Sequence, residues 1–215
     1  MSNQLVPWPA IRALLSCCLI ALDKNPGVRP IGIGHIWRRM IAKCFLAVAG
    51  PSATEVCGVD QLCVGLQAGI EGAVHAASQF WKEHATDDDF GFLCIDAKNA
   101  FNEMNRVTML WTIRHEWPQG ALFTFNCYKH WIRLVAHDPS GNTFVFYSKV
   151  GVTQGDPLGM YAYGIGLLPL IRLLKQEFPT ILFQGWYAND GSAAASIPLL
   201  CKFFDSLLKR GPHYG

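Results

Sequence analysis

The chain has 215 residues, of which 51% are hydrophobic and only 16% are charged, so a large core is expected within one sizeable domain. Eighteen Lys and Arg against sixteen Asp and Glu give a net charge of +2, which excludes nucleic-acid binding through overall charge alone and makes any such function depend on local motifs. Eight cysteines without a Cys-x-x-Cys pair are predicted to be buried, reduced thiols of an intracellular protein rather than zinc ligands.

The first half of the chain predicts an irregular alternation of helices and strands. Residues 23–30 are typical of a turn, which leads into a short strand at Ile31 and Ile33. A helix is predicted from about residue 36 to 49, where Gly50-Pro51 would end it. The next predicted elements are a helix over 71–84, a strand over 90–95 that ends at Asp96, and helices over 100–113 and 121–136.

The second half predicts strands that enclose one long apolar helix. The predicted elements are a turn over 138–142, a strand over 143–150, a loop over 151–157, a helix over 158–178, strands over 181–187 and 192–195, and a helix over 197–209. Residues 158–170 are the most membrane-like run, but they are too short to span a bilayer and are interrupted by glycines and a proline. The pattern favours an α+β fold, with helices packed on one face of an antiparallel sheet.

Two aspartates, Asp96 and Asp190, each follow a predicted buried strand. Carboxylates from neighbouring strand ends can hold divalent cations against phosphate oxygens, because Mg²⁺ prefers oxygen ligands. An aspartate at a strand end is, however, more often a turn or cap residue. Spacing alone therefore leaves both interpretations open.

Four segments stand in a recognisable order. Residues 24–31 are Lys-Asn-Pro-Gly-Val-Arg-Pro-Ile, residues 92–102 are Phe-Leu-Cys-Ile-Asp-Ala-Lys-Asn-Ala-Phe-Asn, residues 151–158 are Gly-Val-Thr-Gln-Gly-Asp-Pro-Leu, and residues 187–190 are Tyr-Ala-Asn-Asp. In this order they resemble the fingers segment and the three catalytic motifs of reverse transcriptases, in particular those of non-LTR retroelements. The resemblance extends from about residue 20 to the end of the chain.

The resemblance implies a polymerase palm with an antiparallel sheet and packed helices. Residues 1–50 would be a partial fingers segment and residues 51–215 the fingers and palm. The thumb is expected to be absent, since one helix follows the last motif. The implied reaction is RNA-templated DNA synthesis inside the cell, away from membranes. It would use two Mg²⁺ (or Mn²⁺) ions, deoxynucleoside triphosphates, and an RNA or DNA template with primer.

The resemblance also implies roles for individual residues. The metal site would consist of Asp96, the backbone carbonyl of Ala97, Asn189 and Asp190, with the two aspartates as the catalytic pair. The substrate-binding residues would be Lys24 and Arg29 on the triphosphate, Phe101 under the sugar, and Gln154 and Gly155 against the nucleotide and template. A ring at Phe101 would exclude a 2′-hydroxyl. Without the motif, Phe101 is a helix core residue and the two cations are solvated turn residues.

The sequence departs from the family at Asn189, where the third motif of reverse transcriptases has an aspartate. An asparagine keeps a carbonyl oxygen but loses the charge that binds a cation. Polymerisation is therefore expected to be severely impaired. The alternative is a catalytically inactive retroelement remnant with at most weak nucleic-acid binding.

One further segment leaves two interpretations. Trp37, Arg38 and Arg39 could contact nucleic acid, since aromatic rings and arginines stack on bases. Alternatively, Trp37 faces the core of the protein while Arg38 and Arg39 face outward.

Overall fold

The computed structural model describes residues 4–215, so the first three residues of the predicted 1–50 segment lie outside the described part. The helices are α1 (Trp8–Leu15), α2 (Ile36–Cys57), α3 (Gly69–Glu83), α4 (Ala100–Glu103), α5 (Arg106–Glu116), α6 (Pro118–Tyr128), α7 (Gly159–Glu177) and α8 (Ile197–Arg210). The strands are β1 (Cys17–Asp23), β2 (Val28–Gly34), β3 (Phe90–Asp96), β4 (Ile132–His137), β5 (Thr143–Ser148), β6 (Phe183–Tyr187) and β7 (Asp190–Ser196). A 3-10 turn, Gly211–His213, follows α8.

The strands form two sheets. The three-stranded sheet has the order β3-β7-β6 and is antiparallel throughout. The four-stranded sheet has the order β2-β1-β4-β5, with β1 and β4 parallel and the other neighbours antiparallel. The predicted α+β architecture, an antiparallel sheet with packed helices, is confirmed. The four-stranded sheet draws strands from both sides of residue 50, and the division at that residue stays a prediction.

Helix α7 lies at the centre of the core, as predicted for its apolar run. Leu168, Ile171 and Leu174 are fully buried, at a spacing that keeps them on one side of a helix. Gly164 permits a close approach, because a Cβ there would lie only 2.9 Å from Cγ of Gln61. The Gln61 side chain therefore packs closely against α7 in the interior, where it contacts the turn described in the next subsection.

Helix α2 is longer than predicted and continues through Pro51 to Cys57. Proline inside a helix costs about 3 kcal/mol, yet Ala49 before Pro51 and Ala53 and Cys57 after it keep a helical spacing and are all buried. Packing of this buried face of α2 outweighs the tendency of Gly50-Pro51 to end the helix. By length and hydropathy α2 passes as a candidate membrane span among the described residues, although its inner face belongs to the core described above.

Two other helix predictions are wrong. The predicted helix over 100–113 is divided into α4 and α5, because the Asn105 side chain accepts hydrogen bonds from the backbone N–H groups of Val107 and Thr108 and so caps a new helix. The predicted helix over 121–136 ends at Tyr128. Its last residues form β4, which pairs with β5 along its whole length and with β1 at two positions.

At the start of α2, the interpretation that Trp37 faces the core and Arg38 faces outward is wrong. Trp37 is 61% exposed, whereas Arg38 is only 4% exposed. Arg38 turns inward because Nη2 donates to Oδ2 of Asp156 at 2.8 Å in a buried ion pair. The proposed contact of Trp37 with nucleic acid stays a prediction.

The cysteines match their prediction only in part. All eight are free thiols. Four are buried, but Cys18, Cys44, Cys94 and Cys201 are exposed, which corrects the expectation that all eight are buried. Three of these four lie on the outer faces of β1, β3 and α2, where the strand or helix period turns them to solvent.

Candidate active site

The two predicted carboxylates lie side by side on neighbouring strands of the three-stranded sheet. Asp96 is the last residue of β3 and Asp190 the first of β7, and they are direct partners in the antiparallel register. Opposed residues of antiparallel strands have Cα atoms about 4.5–5.5 Å apart. Partial burial and then the charge of Asp96 raise the pKa of the Asp190 carboxyl above its ordinary value. Two carboxylates this close form a site that gains from a bound cation.

The turn that carries Asn189 is held from inside the protein by Gln61. Ala188 and Asn189 connect β6 to β7, and Ala188 has φ 53°, a left-handed conformation that is typical of two-residue hairpin turns. The fully buried Gln61 side chain accepts from the Ala188 N–H at 2.7 Å and donates to the Ala188 carbonyl at 3.1 Å. Both backbone polar groups of the buried Ala188 are therefore satisfied by one side chain, which fixes the turn beside Asp190.

Asn189 presents a hydrogen-bond donor to the predicted metal ligands. Its Nδ2 donates to Oδ1 of Asp96 at 3.0 Å and to the carbonyl of Ala97 at 3.4 Å. A carboxylate at this position could only accept. The asparagine thus changes both the charge and the hydrogen-bonding direction at this corner of the site.

A cleft of about 420 Å³ contains nearly all of the predicted site residues. Besides the metal-site group, its lining residues include the predicted substrate contacts Lys24, Arg29, Phe101 and Gln154. Three polar residues that the sequence analysis did not single out, Lys98, Asn99 and Asn102, also line it. The cleft thus contains both cations and carboxylates, which is the combination that a metal-bound polyphosphate requires.

Phe101, which lines this cleft, is fixed by ring stacking and by a backbone hydrogen bond. Its ring lies 4.6 Å from that of Tyr163, at an interplanar angle of 26°. Its carbonyl accepts from the N–H of Val152 at 2.7 Å. Gly151 makes this contact possible, because a Cβ there would collide with the Phe101 carbonyl. The first and second motifs are thereby joined in one unit.

Gly155 does not line the cleft but packs against β2. It has φ +98°, and a Cβ there would lie 2.8 Å from the carbonyl oxygen of Gly32. The neighbouring Gln154 carbonyl accepts from the Gly32 N–H at 2.8 Å. Gly155 therefore allows the second motif to lie against β2, the strand that carries Arg29.

Asp156, which belongs to the second motif, is the centre of a buried network. Its Oδ2 accepts from Arg38 at 2.8 Å and from the Tyr128 hydroxyl at 2.7 Å, and its Oδ1 accepts from the N–H of Leu158 at 3.0 Å. Burial and then the Asp156 charge raise the pKa of Tyr128, which keeps its proton and its role as donor. The network ties α2 and α6 to the loop beside the cleft.

Arg106 is a second positioning residue that sequence reasoning missed. It is 7% exposed, and its guanidinium donates to the carbonyls of Gly151 at 3.0 Å and Val150 at 2.9 Å and to both oxygens of Ser148. Burial lowers its pKa. The Arg106 guanidinium thus links the end of β5 to the start of the second motif through hydrogen bonds to their carbonyls. Its partners are 24 to 45 residues away in sequence, so no local pattern could have indicated them.

Comparisons with known proteins support the fold. No protein-family model matches the chain. Over 197 residues it is 26% identical to the retrotransposable element SLACS 132 kDa protein of Trypanosoma brucei gambiense. Telomerase from Candida albicans, solved with a fragment of telomeric RNA, superposes with a TM-score of 0.69 over 95% of this chain at 10% identity. Apo telomerase from Candida tropicalis gives 0.69 over 96%, also at 10% identity.

The fold is that of a reverse transcriptase-like domain. The chain spans 15% of the length of the retrotransposable element protein and 40% and 43% of the two telomerase chains. The similarity thus concerns one part of much longer proteins.

Proposed function

We propose that this chain is the fingers and palm part of an RNA-directed DNA polymerase whose nucleotidyl transfer is strongly reduced by Asn189. The observation that carries the proposal is the pairing of Asp96 with Asp190 in the cleft that also contains Lys24 and Arg29. Carboxylates opposite cations match a nucleoside triphosphate bound through Mg²⁺. The related retrotransposable element protein supports a retroelement origin.

The donor set suits magnesium or manganese. Asp96, Asp190 and the Ala97 carbonyl offer oxygen ligands, and Mg²⁺ is usually bound by one or two carboxylates plus substrate phosphates. The raised pKa of Asp190 supports this fit, since a cation between the two carboxylates would relieve their repulsion. When bound, two such ions would stabilise charge on the attacking and leaving oxygens of a phosphoryl transfer.

The remaining cleft residues bind and orient the substrate. Lys24 and Arg29 would hold the triphosphate through charge-assisted hydrogen bonds. Phe101, held by Tyr163, would pack under the sugar and exclude a 2′-hydroxyl, which selects deoxynucleotides. Gln154 would contact the nucleotide from the opposite side of the cleft. Gln61 acts through the turn, because it fixes the backbone that precedes Asp190.

Asn189 limits the reaction for an electrostatic reason. Two unit charges about 4 Å apart interact by roughly 4 kcal/mol at an effective dielectric constant near 20. Loss of that much transition-state stabilisation slows a reaction by roughly a thousandfold. The Asn189 amide also donates to Asp96, which makes this carboxylate less available to a cation.

A second candidate function is nucleic-acid binding without nucleotidyl transfer. The hydrogen bonds from Asn189 to Asp96 and to the Ala97 carbonyl favour it, because they occupy the groups that a catalytic cation would need. The fold and the cleft would then serve only to hold template and primer.

Primer extension on an RNA template with Mg²⁺ or Mn²⁺ tests the proposal, using the purified 215-residue chain. Weak, metal-dependent extension is expected, with loss of the signal in Asp96→Ala. Asp205→Ala, an exposed carboxylate on α8, is the matched control and should retain the signal. Equal extension by wild type and Asp96→Ala would overturn the catalytic assignment. Template–primer binding without any extension would favour the second candidate.

A further inference from the structure

A second cleft, of about 690 Å³, lies between α1, the segment that follows α6, and the β4–β5 hairpin. It shares no lining residue with the active-site cleft. Arg12, Lys129 and Arg133 line it together with the rings of Trp131 and Tyr147. No aspartate or glutamate lines this cleft within the part of the chain that the structure describes. In a chain with a net charge of only +2, this is a strong local concentration of positive charge.

The arginines of this cleft are not neutralised by the protein. Among residues 4–215, neither Arg12 nor Arg133 has a side-chain hydrogen bond or ion pair. Among the described residues, Lys129 donates to two neutral oxygens, the Val6 carbonyl at 2.7 Å and Oδ1 of Asn126 at 3.2 Å, so these contacts do not cancel its charge. Positive charges without carboxylate partners are suited to binding an anion from outside the chain.

The aromatic residues are exposed where a ligand could stack on them. Trp131 is 56% exposed and Tyr147 is 54% exposed, with ring centroids 6.4 Å apart. The Nζ atom of Lys149 lies 4.5 Å from the centroid of the Trp131 ring, which adds a fourth cation beside the cleft. A tryptophan this exposed gains little from packing within the fold, whereas nucleic-acid bases stack well on such rings.

We propose that this cleft binds single-stranded nucleic acid outside the active site. The phosphates would contact Arg12 and Arg133, and an unpaired base would stack on Trp131. Single strands are favoured over a duplex, because bases inside a duplex are already stacked and cannot reach a side-chain ring. An acidic peptide would satisfy the cations but would leave the rings without a stacking partner, which makes it the competing ligand to test.

Fluorescence anisotropy with a labelled 12-nucleotide single strand measures this binding in EDTA and without deoxynucleotides, so that metal-dependent binding in the active-site cleft does not contribute. Trp131→Ala is expected to weaken binding by on the order of tenfold, since stacking carries much of the affinity, and Trp131→Phe should restore most of it. Arg133→Gln should lower the slope of log affinity against log salt by about 0.7, as expected for one lost phosphate contact. Lys202→Ala, an exposed cation on α8, is the matched control and should change neither quantity.

Folding of each variant is checked by circular dichroism and thermal melting, and Arg133→Gln provides a second test should Trp131→Ala melt early. Equal binding by wild type, Trp131→Ala and Arg133→Gln would overturn the proposal. Competition by polyglutamate as strong as by unlabelled single strand would also overturn it, since the site would then select charge alone. A loss of primer extension in Asp96→Ala leaves this measurement unaffected, so the two proposals fail separately.

Discussion

The two sheets of this molecule differ in how firmly they are anchored. The three-stranded sheet, with Asp96 and Asp190, has a buried middle strand in which Ala193 and Ala194 have no exposed surface. In the four-stranded sheet, five of the six residues of β5 are exposed. The carboxylates therefore lie on the more buried of the two sheets, whereas Arg29 lies on β2 of the more exposed four-stranded sheet and Lys24 lies in the turn before that strand.

The largest expected effect comes from breaking the buried pair that joins α2 to the second motif. Arg38→Ala should lower the free energy of unfolding by about 3–5 kcal/mol, because it leaves Asp156 buried without its cation. Urea denaturation measures the change. Arg210→Ala removes an ion pair with Glu177 that is about one-third exposed and should cost at most about 1 kcal/mol. Equal losses in the two variants would contradict the claim that this buried pair holds α2 against the second motif.

The next effect concerns the turn beside Asp190. Gln61→Leu should cost about 2–4 kcal/mol, because the buried N–H and carbonyl of Ala188 both lose their partner. Gln79→Leu on the exposed face of α3 is the matched control and should change stability by less than about 0.5 kcal/mol. Denaturation curves of the two variants that coincide would show that the turn does not depend on Gln61.

These contacts also mark the limit of what the sequence could predict. The motifs located Asp96, Asp190 and most residues of the cleft, because each motif is a short local pattern. Gln61 and Arg106 were missed, since their partners lie far away along the chain and no periodicity links them. Residues 132–136 were assigned to a helix because Leu, Arg and Ala favour helices locally, whereas pairing of β4 with β1 and β5 decides their structure.

A smaller effect on stability is expected from a substitution in the four-stranded sheet. Phe144, on β5, is 48% exposed. Phe144→Thr keeps a strand-favouring residue and removes little buried area, so the free energy of unfolding should fall by less than about 1 kcal/mol. Urea denaturation at a single temperature checks it. A loss as large as that of Gln61→Leu, which acts at the β6–β7 turn of the three-stranded sheet, would mean that the two sheets are equally anchored, and the comparison between them would fail.

The smallest effect is a dependence of stability on pH. Because the pKa of Asp190 is raised in the folded chain, its contribution to stability is present below its ordinary pKa of 3.8 and is lost as the pH rises through the raised value. In metal-free buffer, Asp190→Asn should therefore melt at a higher temperature than wild type near neutral pH, and the difference should vanish in acid. Asp205→Asn, with its exposed carboxylate, should show no such trend. A difference that does not vary with pH would contradict the repulsion between the two aspartates.

The most direct test of the proposed function restores the missing carboxylate. Primer extension by Asn189→Asp is compared with wild type under the same Mg²⁺ concentration, template and protein concentration. The variant should extend faster by roughly a thousandfold, because the added charge strengthens cation binding in the transition state. Extension by wild type at the same rate as Asn189→Asp would contradict the account, since Asn189 would then not limit the reaction.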